Sequence, residues 1–118
     1  AVDASRDRAA QRWVNQTIER LEPDAVVVSW WSYSTPLWYA QHVEGRIPGV
    51  KIVDDRTRLD EELGEVPDVI ERYLGRRPVY LIRSSDGELE RLANTYRLEP
   101  GPFSNALVRV VERREASQ

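Results

Sequence analysis

Apolar and polar positions along this chain follow two different periods. From about Ala4 to Leu21, the residues Ala10, Trp13, Val14, Thr17, Ile18 and Leu21 recur three and four apart. That spacing puts them on one face of a helix. Arg8, Arg12, Glu19 and Arg20 fall mostly on the other face, Asp3 or Ser5 can cap the start, and Pro23 follows the end. Asp24-Ala25-Val26-Val27-Val28-Ser29 is instead a continuous apolar run after a turn signal. Such a run predicts a strand covered on both faces, as in a parallel sheet. Beyond the aromatic stretch Trp30-Trp31-Ser32-Tyr33, a second helix is expected from near Ser34 or Thr35. Thr35 would be its cap and Pro36 its first helical position, with the helix reaching Val43 or Glu44 and ending at Gly45. Val50 to Val53 predicts a second strand, closed by Asp54-Asp55-Arg56.

Thr57 to Glu65 is polar and acidic, which reads as a loop or a short helical turn. Val66, Val69, Ile70, Tyr73 and Leu74 form a third helical stripe, stopped by Gly75, and Val79 to Ile82 is a third buried strand. Ser84 to Gly87 makes a turn, and Asp86 or Ser85 caps a fourth helix carrying Leu89, Leu92, Ala93 and Tyr96. A short fourth strand begins at Arg97 to Leu98, Pro100-Gly101-Pro102 breaks the chain, and Ala106 to Val111 predicts a last, antiparallel strand. Arg113 to Gln118 is a polar tail expected to fray. Strands alternating with helices predict one α/β domain over residues 1–118. Its architecture is a three-layer sandwich around a mainly parallel, Rossmann-like sheet with a C-terminal antiparallel strand.

Composition narrows the chemistry. The 118 residues are 31% charged and 41% hydrophobic, an ordinary balance for a globular domain. No apolar run approaches the ~18–20 residues of a membrane span. A net charge of −3 argues against a nucleic-acid partner, which selects a basic face. Cysteine is absent, so disulfides, thiol catalysis and thiolate metal sites are excluded. The single histidine excludes multi-histidine metal centres, and no cofactor is expected. Lys51 is the only lysine among the basic residues. No methionine stands at position 1, so the numbering is expected to begin inside a longer reading frame or after processing. Ala1 to Arg8 carries no signal-peptide pattern.

In an open α/β sheet, ligands bind beyond the carboxyl ends of the strands. Three predicted loops converge there: Ser29 to Thr35, Asp54 to Arg58, and Arg83 to Asp86. The candidate ligand-facing residues are therefore Trp30, Trp31, Tyr33, Asp54, Asp55, Arg56 and Arg83. Trp30, Trp31, Tyr33, Trp38 and Tyr39 fall within ten residues. Flat aromatic faces suit sugar rings and protein surfaces; the competing reading packs Trp38 and Tyr39 into the core. Asp54-Asp55-Arg56 could hold a divalent ion or a hydroxyl-rich ligand, or form a salt-bridged loop with Arg56 and Arg58. The segment after the first strand has no glycine, which disfavours dinucleotide binding. Ser29, Ser32 and Ser34 lie one helix, ~10 Å, from His42, so a serine triad is not expected. Arg76-Arg77 reads as a solvated turn, and the sequon Asn15-Gln16-Thr17 sits inside a helix.

Val2-Asp3-Ala4-Ser5, Asp24 to Ser29, Thr35-Pro36-Leu37-Trp38-Tyr39-Ala40-Gln41-His42-Val43-Glu44-Gly45-Arg46 and Arg77-Pro78-Val79-Tyr80 follow one another in order. In these segments the chain resembles the soluble C-terminal region of a family of multi-spanning bacterial membrane proteins. That family is similar to the transmembrane O-mannosyltransferases, which use lipid-linked sugars. The resemblance runs from about Val2 to Val79, and its most specific part is Pro-Leu-Trp-Tyr-x-Gln. It implies a domain on the extracytoplasmic side, attached to a membrane-embedded portion of the same polypeptide. The family's catalytic residues lie in that membrane portion, so no catalytic residue is carried over. Three functions stay open: a non-catalytic accessory domain that docks on the membrane portion or holds a glycan or acceptor, a free-standing metal-assisted transferase or small-ligand-binding domain, and a structural spacer.

Overall fold

The computed structural model describes residues 4–29, 31–82, 86–100 and 107–115. In chain order the elements are α1 (Ala4–Arg20), β1 (Val26–Val28), α2 (Trp31–His42), β2 (Lys51–Val53), α3 (Asp55–Asp60), α4 (Val66–Tyr73), β3 (Val79–Ile82), α5 (Asp86–Thr95), β4 (Tyr96–Pro100) and β5 (Leu107–Arg113). The strands form one five-stranded sheet in the order β2-β1-β3-β5-β4. β1 is parallel to both β2 and β3, while β5 runs antiparallel to β3 and β4. The α/β class with a mainly parallel core and antiparallel C-terminal strands is as the hydrophobic pattern predicts.

The valine run of β1 explains its central place. Val26 and Val28 enter one apolar cluster, Val27 enters the other, and all three are fully buried. Successive strand residues face opposite sides, so a strand with helices above and below has no polar position. On one face Val26, Val28, Val53, Leu81 and Val108 pack under Val66, Val69 and Ile70 of α4 and Leu92 of α5. On the other, Val27, Ile52, Tyr80 and Ile82 meet Leu37 of α2, with Trp13 and Ile18 of α1 and Trp38 against them.

Four boundaries differ from the sequence reading. α2 begins at Trp31 rather than at Ser34 or Thr35, so Pro36 lies inside the helix instead of at its first position. Packing decides this: Leu37 and Ala40, three apart, are fully buried, and the helix extends back to the end of β1. The cost is local: Pro36 lacks the N–H that the Ser32 carbonyl would accept, and its ring crowds that carbonyl. At the other end Gly45, with φ +70°, turns the chain, and the Arg46 N–H bonds the Ala40 carbonyl at 3.0 Å.

The polar stretch after β2 contains a true helix, α3, starting two residues before the expected loop. Tyr96 belongs to β4 rather than to the preceding helix, because it pairs with Arg113 of β5 and its ring joins the core. β4 spans five residues and carries a register shift between Arg97 and Leu98. β5 runs on to Arg113, into the segment expected to fray.

Two buried tyrosines anchor the flanks. The Tyr80 hydroxyl donates to Glu22 at 2.9 Å, and burial followed by that carboxylate bond pushes its pKa up to about 12. The Tyr96 hydroxyl donates to Glu71, with the same order of causes and a pKa of about 12. Each glutamate also holds an arginine of β5, Arg109 to Glu22 at 3.3 Å and Arg113 to Glu71 at 2.6 Å.

Candidate functional site

The register brings the ends of the parallel strands level. Val28 is paired with Val53 on one side and with Leu81 on the other. The carboxyl ends of β1, β2 and β3 therefore lie at one edge of the sheet, as the alternating pattern requires. Trp30 and Arg83 lie outside the described residues. Trp31 and Tyr33 fall in the first turn of α2, and Asp54, Asp55 and Arg56 open α3.

Asp54 is the start signal of α3. Its carboxylate accepts the Thr57 N–H at 2.8 Å and the Thr57 hydroxyl at 3.0 Å, satisfying donors that a helix start leaves unpaired. The side chain is buried. Asp55 next to it is exposed and accepts from Arg58 at 3.2 Å. Arg56 is exposed and donates to Asp60 at 3.2 Å. The adjacent carboxylates thus have separate duties, a buried cap and a surface ion pair. Among the described residues no group of three or more His, Asp or Glu could hold a metal ion.

An open groove of about 790 Å³ lies between α2 and α3, lined by Thr35 and Trp38 on one wall and by Asp54 to Thr57, Leu59 and Asp60 on the other. A second groove of about 440 Å³ continues along the outer edge of β2, with Trp38, Gln41, His42, Lys51, Thr57 and Glu61 in its lining. Trp38 and Thr57 belong to both. The Trp38 indole is half-buried against the α1–α2 side of the core and stacks on His42, with centroids 4.9 Å apart and planes at 18°. The lone histidine is thus a packing partner of Trp38. Lys51 and Glu61 pair at 3.0 Å at the β2 edge.

Three large apolar side chains among the described residues are strongly exposed: Tyr39 at 58%, Val43 at 65% and Leu59 at 75%. Tyr39 and Val43 are one turn apart along α2 and its C-terminal turn, and Leu59 is on α3 in the groove. The core-packing reading therefore fails for Tyr39, and it holds in part for Trp38. The sequence signal was available, since Tyr39 and Val43 lie off the Leu37–Ala40 stripe that the helix buries.

Other expectations resolve into structure. Gln41, from the most specific part of the resemblance, donates to the carbonyls of Ile47 at 2.8 Å and Val50 at 2.7 Å. It ties the α2–β2 connection in place, where Ile47 has φ +44°. Asn15 of the sequon accepts from Arg46 at 2.8 Å, and Thr17 is buried. Ser29 is fully buried, and its hydroxyl has no hydrogen-bond partner among the described residues, so none of them reaches it as a general base. Arg77 is no solvated turn residue; it binds two backbone carbonyls at the opposite edge of the sheet.

No helix among the described residues is long and apolar enough to cross a membrane. No family model, no curated protein and no solved structure matches this chain.

Proposed function

We propose that this chain is a non-catalytic accessory domain that holds a glycan or a glycosylated acceptor in the groove between α2 and α3. By its resemblance it would serve a membrane-embedded glycosyltransferase-like portion of the same polypeptide, on the extracytoplasmic side. The observation that carries the reading is Trp38. Its half-buried ring stands at the junction of two continuous grooves, with Asp55, Arg56 and Asp60 on the facing wall. A sugar needs an apolar face for its C–H surface and charged or amide groups for its hydroxyls, and this groove offers both.

The test is a titration of the domain with oligosaccharides, read by tryptophan fluorescence. A saturable change at millimolar sugar is expected. Arg56→Ala and Asp60→Asn, both on exposed positions, should weaken it while leaving the unfolding transition in place. No change at millimolar sugar removes the glycan reading.

A second reading rests on Tyr39, Val43 and Leu59. Tyr39 and Val43 are exposed one turn apart and Leu59 is exposed on α3, and exposed apolar side chains suit docking against another protein surface. Here the partner is the membrane portion of the same polypeptide. Replacing all three by serine should release the domain from that portion in a cross-linking experiment. Unchanged cross-linking would remove docking and leave a structural spacer. The remaining alternative, a metal-assisted transferase, needs Asp54 and Asp55 to share an ion. Manganese that leaves the Asp54–Thr57 cap and the Asp55–Arg58 pair unaltered would reject it.

A further inference from the structure

The end of α4 presents arginines that do not line the groove between α2 and α3. Arg72 lies in its last turn, and Arg76 and Arg77 follow the Gly75 turn, where φ is +88°. The Arg76 and Arg77 N–H groups both donate to the Tyr73 carbonyl at 2.9 Å, which folds the chain back on the helix end. The guanidinium groups of Arg72 and Arg77 lie 6.0 and 5.9 Å from the centre of the Tyr73 ring. An open cleft of about 560 Å³ is lined by Glu71, Arg72, Tyr73, Arg76 and Arg77.

Many arginines of this chain are paired with acids. Arg46, Arg56, Arg58, Arg97, Arg109 and Arg113 each hold a carboxylate. Arg77 is fixed by backbone carbonyls. Arg72 and Arg76 hold no carboxylate among the described residues, although the chain carries a net charge of −3. Glu71, the one acid among the described residues of the cleft lining, is already bound by Tyr96 and Arg113. Two guanidinium groups, those of Arg72 and Arg77, thus lie beside one aromatic ring, Arg76 lines the same cleft, and the acid next to them is already engaged.

We propose that the Arg72–Tyr73–Arg76 cleft is a binding site for a phosphate group. Guanidinium forks match phosphate oxygens two at a time, which an ammonium cannot do. The Tyr73 ring lies within cation–π reach of Arg72 and Arg77, which restricts both side chains, so less of their freedom is lost when the anion binds. Arg77, anchored by its carbonyl bonds, fixes the floor of the site, and Arg72 and Arg76 close on the anion.

The test uses the whole chain and inorganic pyrophosphate, followed by calorimetry at low salt, with vesicles of phosphatidylglycerol or of phosphatidylcholine as parallel arms. Saturable pyrophosphate binding, or binding to the anionic vesicles alone, is expected. The first outcome assigns a soluble phosphate compound and the second a lipid headgroup. The double substitution Arg72→Gln/Arg76→Gln should weaken whichever is found by about tenfold or more. Arg12→Gln, an exposed arginine on α1, should leave it unchanged. Binding to neither probe, or equal weakening by Arg12→Gln, overturns the proposal. Both positions are exposed, and an unchanged unfolding transition separates lost binding from lost folding.

Discussion

The Nε–H of Arg77 donates to the backbone carbonyl of Asp24 over 2.7 Å, linking the start of β3 to the turn before β1. Another nitrogen of the same guanidinium reaches the Gly49 carbonyl, before β2, at 2.8 Å. One planar side chain thus gathers the entry turns of the three parallel strands, which no sheet hydrogen bond does. Arg77→Ala is expected to lower the stability by about 1–3 kcal/mol. Arg77→Lys should recover less than half of that, because a single ammonium cannot span both acceptors. Urea unfolding checks this, and a loss no greater than that of Arg76→Ala would refute the clamp.

Gln41 makes an analogous bond on α2. Its amide nitrogen serves two carbonyls, Ile47 and Val50, across a connection that holds a β-branched residue at φ +44°. Such a conformation persists only where surrounding contacts enforce it. Gln41→Ala should cost about 1–2 kcal/mol. Gln41→Glu, of the same shape, should cost more at neutral pH, since a carboxylate would face two carbonyl oxygens without a donor. Stability of Gln41→Glu should partly return near pH 4, where the carboxyl regains a proton. A Glu variant as stable as the parent at pH 7 would sink the argument.

What was legible in the chain follows from these contacts. Val79 to Ile82 is a strand in both readings, because four apolar residues between turn signals can do little else in an α/β chain. The start of α2 was misplaced, since Thr35-Pro36 is a strong local signal that the burial of Leu37 and Ala40 overrides. Tyr96 was assigned to a helix because its spacing from Leu92 fits one. Its pairing with Arg113, seventeen positions on, is invisible to local periodicity. The rim itself was predicted from the alternation of elements, and the level ends of β1, β2 and β3 agree with it. The grooves beside Trp38 were not, because they depend on where α3 lies, and the cap that Asp54 forms at the start of α3 was not read from the sequence.

Tyr80 and Tyr96 make the fold alkali-sensitive. Each phenol is held up to about 12 in the folded chain, chiefly by burial and then by its glutamate, against 10.0 for the ordinary group. The folded state therefore keeps protons that the unfolded state loses between those values. Their contribution is complete below pH 10 and is lost as pH rises towards 12. Stability should fall over that window, and Tyr80→Phe or Tyr96→Phe should make the fall shallower while lowering stability at pH 7. Denaturant midpoints from pH 8 to about pH 12 read both effects. An unchanged slope in both variants would contradict the assignment.

Ser29 gives a prediction of opposite sign. Its hydroxyl is fully buried with no hydrogen-bond partner among the described residues. An unsatisfied buried hydroxyl is a cost, and alanine fits the same space without it. Ser29→Ala should leave stability unchanged or raise it by up to about 1 kcal/mol. A loss greater than that, measured by thermal unfolding, would mean that the hydroxyl has a partner.

Gly49 is set by close approach rather than by an unusual φ. A Cβ added there would lie 2.7 Å from the Pro23 carbonyl oxygen, and that atom is backbone, so it cannot swing aside. Pro23 has a fixed φ of its own, which leaves the turn before β1 little room to yield. Gly49→Ala should therefore separate this turn from the one before β2, at a cost of about 1–3 kcal/mol. The same separation would pull apart Asp24 and Gly49, whose carbonyls Arg77 holds together. The Arg77→Ala and Gly49→Ala losses should consequently be less than additive, because either change alone already disrupts the junction. Strict additivity in a double-mutant cycle would show that the close approach and the arginine clamp are independent.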